Sequence, residues 1–289
     1  MSGLFTKITS FFMSIIALFS GLFGWNKKPS EPEPAVLDLT GYTLYVYDEF
    51  NGDALDDNLW GNVNVGPKQG YFLSPSQISV KDGNLIFTTE YLEDGEFGEG
   101  WYSARLRLKK EYIRGYFEIR CKCNEFLELH HDPWSGFWLQ NVYSSVHEYS
   151  NGGIGGAEID IMEAYHWNEA QKGSITINIF CNGGDNNPNE YDHQEVGRFY
   201  VNNLYSEYHT FGLKWTEAEY IFYIDGTEVA RSSFENGVSQ KPETLLLGMS
   251  GEIDREKDYK ALFLVDYVKV YQIGPENYQT DYNYQIGYN

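Results

Sequence analysis

The stretch Glu158-Ile159-Asp160-Ile161-Met162-Glu163 alternates an acid with a β-branched residue through its first four positions. Such period-2 alternation marks a strand with one buried and one open face, because successive side chains point to opposite sides. Ile159 and Ile161 are expected in a core, with Glu158 and Asp160 together on the other side. Strict alternation would next expose Met162 and bury Glu163. A one-residue β-bulge near Met162 reverses that parity and returns Glu163 to the acid side. Carboxylates sharing a face repel one another and shift one another's pKa values, so the cluster costs stability and is expected to be used.

Outward from this strand, the chain from Leu37 onward consists of short apolar and aromatic runs broken by Gly, Asn and Asp. Asp82-Gly83-Asn84 precedes Leu85-Ile86-Phe87, and Asp225-Gly226 sits inside Tyr220–Val229 as a hairpin turn. Few windows hold a helical period. The pattern predicts an all-β fold, a two-sheet antiparallel β-sandwich of the jelly-roll, concanavalin-like kind with a concave substrate cleft. Residues 1–25 read differently. Ile8 to Trp25 carry no charge and follow Lys7, which is the pattern of an export signal. Lys27 and Lys28 beyond the apolar run also suit an uncleaved membrane anchor, and an amphipathic surface helix is the plainer alternative. The expected location is therefore outside the cell, free or anchored at its surface. Residues 26–38, with Pro29-Ser30-Glu31-Pro32-Glu33-Pro34, read as a stiff linker. A catalytic domain is expected over 39–273, and a Tyr- and Asn-rich tail outside the core over 274–289.

The acid spacing suits glycoside hydrolysis with retention, which needs two carboxyls roughly 5–5.5 Å apart, one nucleophile and one acid/base. Four effective strand steps of ~3.3 Å separate the Glu158 and Glu163 backbones by about 13 Å. Two glutamate side chains leaning together can close that gap, whereas inversion needs a wider one to admit water. Asp160, lying between them, can hydrogen-bond Glu158 and set which glutamate holds the proton. On this strand alone two other readings stand: acids on the solvated face of an edge strand, and a calcium site, although calcium loops favour Asp, Asn and Gly at turn spacing.

With its surroundings, EIDIME resembles the bulged E-x-D-x-x-E signature of glycoside hydrolase family 16. Tyr47-Asp48-Glu49-Phe50-Asn51-Gly52 with Trp60 is similar to that family's opening. YSARLRLKKEYIRGYFEIRCK and Trp134-Ser135-Gly136-Phe137-Trp138-Leu139 follow in the family's order, and so do YHTFGLKWTEAEYIFYIDG and VDYVKVYQ. The resemblance covers roughly residues 40–272. It implies that Glu158 is the nucleophile, Asp160 its assistant and Glu163 the general acid/base. Many laminarinase-like members carry H-G-T-L-H after the acids, where this chain has Ser174-Ile175-Thr176-Ile177-Asn178-Ile179-Phe180. Asn178 is a candidate replacement for the missing His. The bulged signature resembles the β-1,3-glucanase, agarase, carrageenase and endo-β-galactosidase branches more than the unbulged lichenases. Family members often hold a structural Ca²⁺, and the resemblance offers Glu49 and Asp266 as ligands. No cofactor is required.

A formal charge of −21 argues against nucleic acid, which calls for clustered Lys and Arg, and against sulfated galactans. An aromatic content of 17% suits stacking on neutral sugars, although sandwich cores use aromatics too. Neutral β-1,3-glucan leads as substrate, with a neutral galactoside, host glycans included, behind it. By strand parity Trp134, Gly136 and Trp138 share one face and Phe137 and Leu139 the other, which makes Trp134 and Trp138 candidate sugar platforms or core. Tyr165, His166 and Trp167 follow Glu163 just beyond Ala164 and are placed to border the leaving-group side, with His166 equally suited to a solvent-facing loop. Cys121, Cys123 and Cys181 allow one disulfide and a leftover thiol in an exported protein. The chain reads as a monomeric, endo-acting retaining hydrolase. A transglycosylase shares that intermediate, and a non-catalytic carbohydrate-binding jelly roll would be expected to lack one of the two glutamates.

Overall fold

A computed structural model describes residues 35–68, 70–128, 131–140, 155–184, 187–234, 237–251 and 253–273. The expected export or anchor segment, the linker up to Pro34 and the 274–289 tail lie outside the described residues. Among the described residues no helix is long and apolar enough to cross a membrane.

Two sheets enclose one core. The smaller runs Asn187–Tyr200, Ser174–Gly184, Glu158–Glu163, Trp134–Gln140, Glu243–Ser250, Arg105–Tyr112, Trp60–Asn62, every neighbour antiparallel. The larger centres on the long Lys260–Ile273 strand, flanked by Gly115–Lys122 and Asn84–Leu92. One parallel pair, Phe72–Leu73 with Gly100–Ser103, departs from the otherwise antiparallel pattern. The inner faces meet through Ile159, Ile161, Phe137, Leu139, Leu245 and Leu247 from the smaller sheet and Phe117, Ile119, Phe211, Leu213, Phe263 and Val265 from the larger. Fully burying a side chain of this kind stabilises by about 1.5–3 kcal/mol, enough to offset the crowding of acids on the other face of the same strand.

The turns obey their local chemistry. Asp82-Gly83 and Asp225-Gly226 each join strands across two residues, with φ values of 52°, 71°, 50° and 74°, the left-handed pair that matches strand twist. Two family motifs prove to be latches of the fold. The Asp48 carboxylate accepts from the Phe50 backbone N–H at 2.9 Å and from the Trp60 indole at 2.8 Å. Asp225 lies 2.8 Å from His209 Nδ1 and accepts the Thr210 N–H, tying the hairpin to its neighbouring strand.

Two expectations change. The last residues assigned to the linker belong to the domain, since the Leu37 N–H donates to the Gly226 carbonyl and the Ala35 carbonyl accepts from Glu228. Leu37 and Leu39 then cover Tyr116, Ile221 and Tyr223 on the outside of the larger sheet. The cysteines form no disulfide. Cys121, Cys123 and Cys181 are all buried within the core as thiols, with Cys123 Sγ 3.9 Å from Met162 Sδ.

Candidate active site

Glu158–Glu163 is the third strand of the smaller sheet, between Trp134–Gln140 and Ser174–Gly184. Met162 faces Phe137 and Asp160 faces Trp138, so Ile161 has no partner on that side. The register to Ser174–Gly184 skips at the same place, from Asp160 opposite Asn178 to Glu163 opposite Thr176. This is the bulge the sequence requires. Ile159, Ile161 and Met162 go to the core, and both glutamates remain partly open on the outer face.

Each glutamate is held differently. Glu158 Oε2 accepts the Gln140 amide, which leaves Oε1 without that tether. Burial raises the Glu158 carboxyl, while the Arg105 charge and the Gln140 hydrogen bond pull it back toward ionisation. Glu163 Oε1 accepts the Trp134 indole N–H at 3.1 Å, and Oε2 accepts the Asn178 amide at 2.9 Å. Burial pushes its pKa up to about 7 against those two donors, with the Glu158 charge adding to the rise and Arg198 opposing it. Asp160 is 4% exposed, and burial first, then Glu163 and Glu158, hold it well above the usual carboxylate range. Glu158 takes its hydrogen bond from Gln140 rather than from Asp160, whose own carboxyl is raised in part by the Glu163 and Glu158 charges.

Trp134 and Trp138 both lie on the acid side of their strand, as parity predicts, while Phe137 and Leu139 are fully buried behind them. Trp134 also packs against Tyr165 at 5.5 Å, and Tyr165 against Trp167 at 5.6 Å. Trp167 is 59% exposed at the outer end of this aromatic row. His166 is different: it is 3% exposed, its Nε2 is 3.0 Å from the Phe126 carbonyl, and its ring meets the Phe126 edge. It therefore braces the turn from inside, and neither the binding nor the solvent-facing expectation holds for it. Asn178 sits opposite Asp160 with its amide on Glu163, in the strand where the family's His is missing.

The two acids offered for Ca²⁺ do not fit one. Asp266 is ion-paired with Arg120 at 2.6 Å, and Glu49 accepts the Tyr47 hydroxyl. Among the described residues no group of three or more His, Cys, Asp or Glu is assembled to hold a metal. Three residues of the site went unnoticed in the sequence. Gln140 was within reach, since it lies two positions beyond Trp138 on the same strand face. Arg105 and Arg198 arrive through strand pairings that local patterning cannot foresee. Arg105 bonds Ser250 Oγ at 2.6 Å and lies 5.8 Å from the Trp138 ring centre, while Arg198 donates to the Tyr165 carbonyl at 2.6 Å.

Carboxyls set along one open sheet face, one near neutral pKa and bonded by the Trp134 indole, equip a jelly-roll sandwich for glycosidic chemistry. The family model for the glycoside hydrolase 16 domain of β-porphyranases A–D matches residues 45–273. The chain belongs to glycoside hydrolase family 16. It is 22% identical over 303 residues to a β-glucanase from Rhodothermus marinus, covering 91% of this chain and 94% of that one. The LamA catalytic domain from Zobellia galactanivorans superposes with a TM-score of 0.62 at 24% identity, covering 80% of this chain and 98% of that one. SCLam, a non-specific endo-β-1,3(4)-glucanase of family 16, gives 0.65 at 22%, covering 84% and 96%. A structure from work on endo-acting O-glycanases that human gut bacteria express to initiate mucin breakdown gives 0.60 at 20%, covering 83% and 94%.

Proposed function

We propose that this family 16 glycosidase is an exported, endo-acting retaining enzyme that hydrolyses a neutral polysaccharide, β-1,3- or mixed β-1,3/1,4-glucan first. The observation that carries this reading is the unequal treatment of two glutamates on one face. Glu163, raised to about 7, is still about half protonated at neutral pH and can offer that proton to the leaving-group oxygen. Glu158, whose carboxyl is raised by burial with Arg105 and Gln140 opposing that rise, attacks the anomeric carbon as the carboxylate through Oε1. The glycosidic C–O bond breaks as the Glu163 proton passes to the departing sugar, leaving a glycosyl ester on Glu158. Glu163, now the base, takes a proton from water, which displaces Glu158. An acceptor sugar in place of water gives transglycosylation from the same ester. Asp160 stays protonated between the two, so that the site holds fewer negative charges. Trp134, at once a donor to Glu163 and a neighbour of Tyr165, which packs in turn on Trp167, leads an aromatic wall for the leaving chain.

The glucan choice draws on the β-glucanase and endo-β-1,3(4)-glucanase likenesses and on the acidic charge. A second reading, an endo-β-galactosidase acting on galactan or host glycans, draws on the matching family model, which is not a glucanase model, and on the mucin O-glycanase likeness. The test is product analysis with the full chain on laminarin, mixed-linkage glucan, agarose, carrageenan and a mucin O-glycan preparation, beside Glu158→Gln. Oligosaccharides from the glucans alone, absent with Glu158→Gln, are expected. Release only from the galactose-based substrates would keep the mechanism and replace the substrate. Wild-type-like products from Glu158→Gln would end the assignment.

A further inference from the structure

From the hydrogen-bond chain Glu163–Asn178–His193 we infer that His193 is a positioning residue of the acid/base, fixing the Asn178 amide so that it can donate to Glu163 but never accept from it. This deepens the proposed reaction and rests on Glu163 being its acid. Asn178 is 2% exposed on the strand beside the catalytic one. Its Nδ2 is 2.9 Å from Glu163 Oε2, and its Oδ1 is 3.2 Å from His193 Nε2. An amide has two faces, and nothing in asparagine itself says which end meets the carboxyl. His193 decides it. Its ring lies flat on Phe180, with centroids 4.3 Å apart and planes 8° from parallel, which aims Nε2 at the amide. A proton on Nε2 obliges Asn178 to turn its oxygen toward His193 and its NH₂ toward Glu163.

The consequence falls on the acid's proton. With Trp134 donating to Oε1 and Asn178 to Oε2, one lone pair of each Glu163 oxygen faces an inward N–H. The proton must then occupy an outward lone pair, where a leaving-group oxygen can meet it. With the amide reversed, Asn178 Oδ1 would accept the Glu163 proton itself, holding it in the wall and strengthening the protonated form. The charged and titratable groups around Glu163 are Glu158 and Asp160 on its own strand, Tyr165 just beyond, and Arg198 from the outer strand. None of them reaches Asn178 Oδ1 in the hydrogen bonds described, so none substitutes for His193.

The test is a pair of full-length variants, because His193 is exposed and neither change enters the core. His193→Phe keeps a flat ring on Phe180 but has no N–H. His193→Gln keeps an amide N–H near the former Nε2. The first readout is the carboxyl ¹³C titration of Glu163, which needs no substrate and therefore separates this inference from the functional reading. His193→Phe should raise the Glu163 pKa by about one unit, with His193→Gln close to wild type. On whichever polysaccharide the wild type cleaves, the basic limb of kcat/KM should move upward with it. The maximal kcat of His193→Phe should fall about tenfold at little change in KM. An unmoved Glu163 titration in His193→Phe, or equal displacement in both variants, would overturn the inference. A wild type inactive on every polysaccharide would instead count against the proposed function and leave the titration to decide this point.

Discussion

In the proposed reaction Glu163 first gives a proton and later takes one, and its surroundings keep it close to balance. Burial raises it, two N–H donors lower it, and the result near 7 is above the ordinary 4.5. Because the folded pKa is raised, the stability linked to this group is complete below about pH 4.5 and is lost as pH climbs through 7. Glu163→Gln removes that loss, so urea unfolding should find the variant gaining on wild type by about 1–2 kcal/mol between pH 5 and 8, discounted for its partial exposure. A gap that stays constant with pH would contradict the raised pKa. Asp160 invites a complementary measurement. Asp160→Asn should fold normally and turn over far more slowly, with an altered pH–rate profile, and an unchanged profile would count against its assisting role. The acids were legible in the sequence because alternation and bulge are written in six residues. Their unequal pKa values were not, since Gln140, Arg105 and Asn178 reach them from three other strands.

At the scale of elements, the floor of the site is set by what two strands omit. Gly136 and Gly248 lie opposite each other in register, Trp134 and Trp138 to either side. Their spaces are of different kinds. A Cβ on Gly136 would meet the Trp138 ring at 3.5 Å and the Gly248 carbonyl at 3.8 Å, both ordinary contacts. A Cβ on Gly248 would strike the Ala104 carbonyl at 2.6 Å and the Arg105 side chain at 2.8 Å. Gly136→Ala should therefore leave thermal stability within about 0.5 kcal/mol and act on KM, through a shallower floor. Gly248→Ala should destabilise by about 1–3 kcal/mol and displace Arg105 from Glu158. Comparable melting temperatures in the two variants would refute the distinction. Parity alone put Gly136 on the face of Trp134 and Trp138; the Gly248 collision depends on the neighbouring Arg105–Tyr112 strand and had no local signal. His166 failed for a related reason: once the strand ends, period 2 no longer says where a side chain points, and the turn folds that ring onto Phe126.

For the whole molecule, the charge of −21 acts on stability and on partner choice at once. Self-repulsion should make the melting temperature rise from about 0.02 M to about 0.3 M NaCl, as screening shortens the reach of the charges. Over the same range kcat/KM on a neutral glucan should change by less than about twofold, whereas a sulfated chain would show a steep dependence. The architecture itself was readable from turn residues and strand alternation spread along the chain. The disulfide expectation was not supported: strand parity puts Cys121 and Cys123 on one face, but spacing along the chain carries no information about how near Cys181 lies to either. That burial gives the three cysteines a use as reporters. Cys121 belongs to a strand of the larger sheet, Cys123 follows it, and Cys181 belongs to a strand of the smaller. An alkylating reagent can reach each sulfur only when the protein around it opens, so labelling rates measure local opening from within both layers. A single shared rate would mean the layers part only in global unfolding. Faster labelling at Cys181 alone would locate the weakest seam beneath the strand that carries Asn178, putting the least stable part of the sandwich next to its acid.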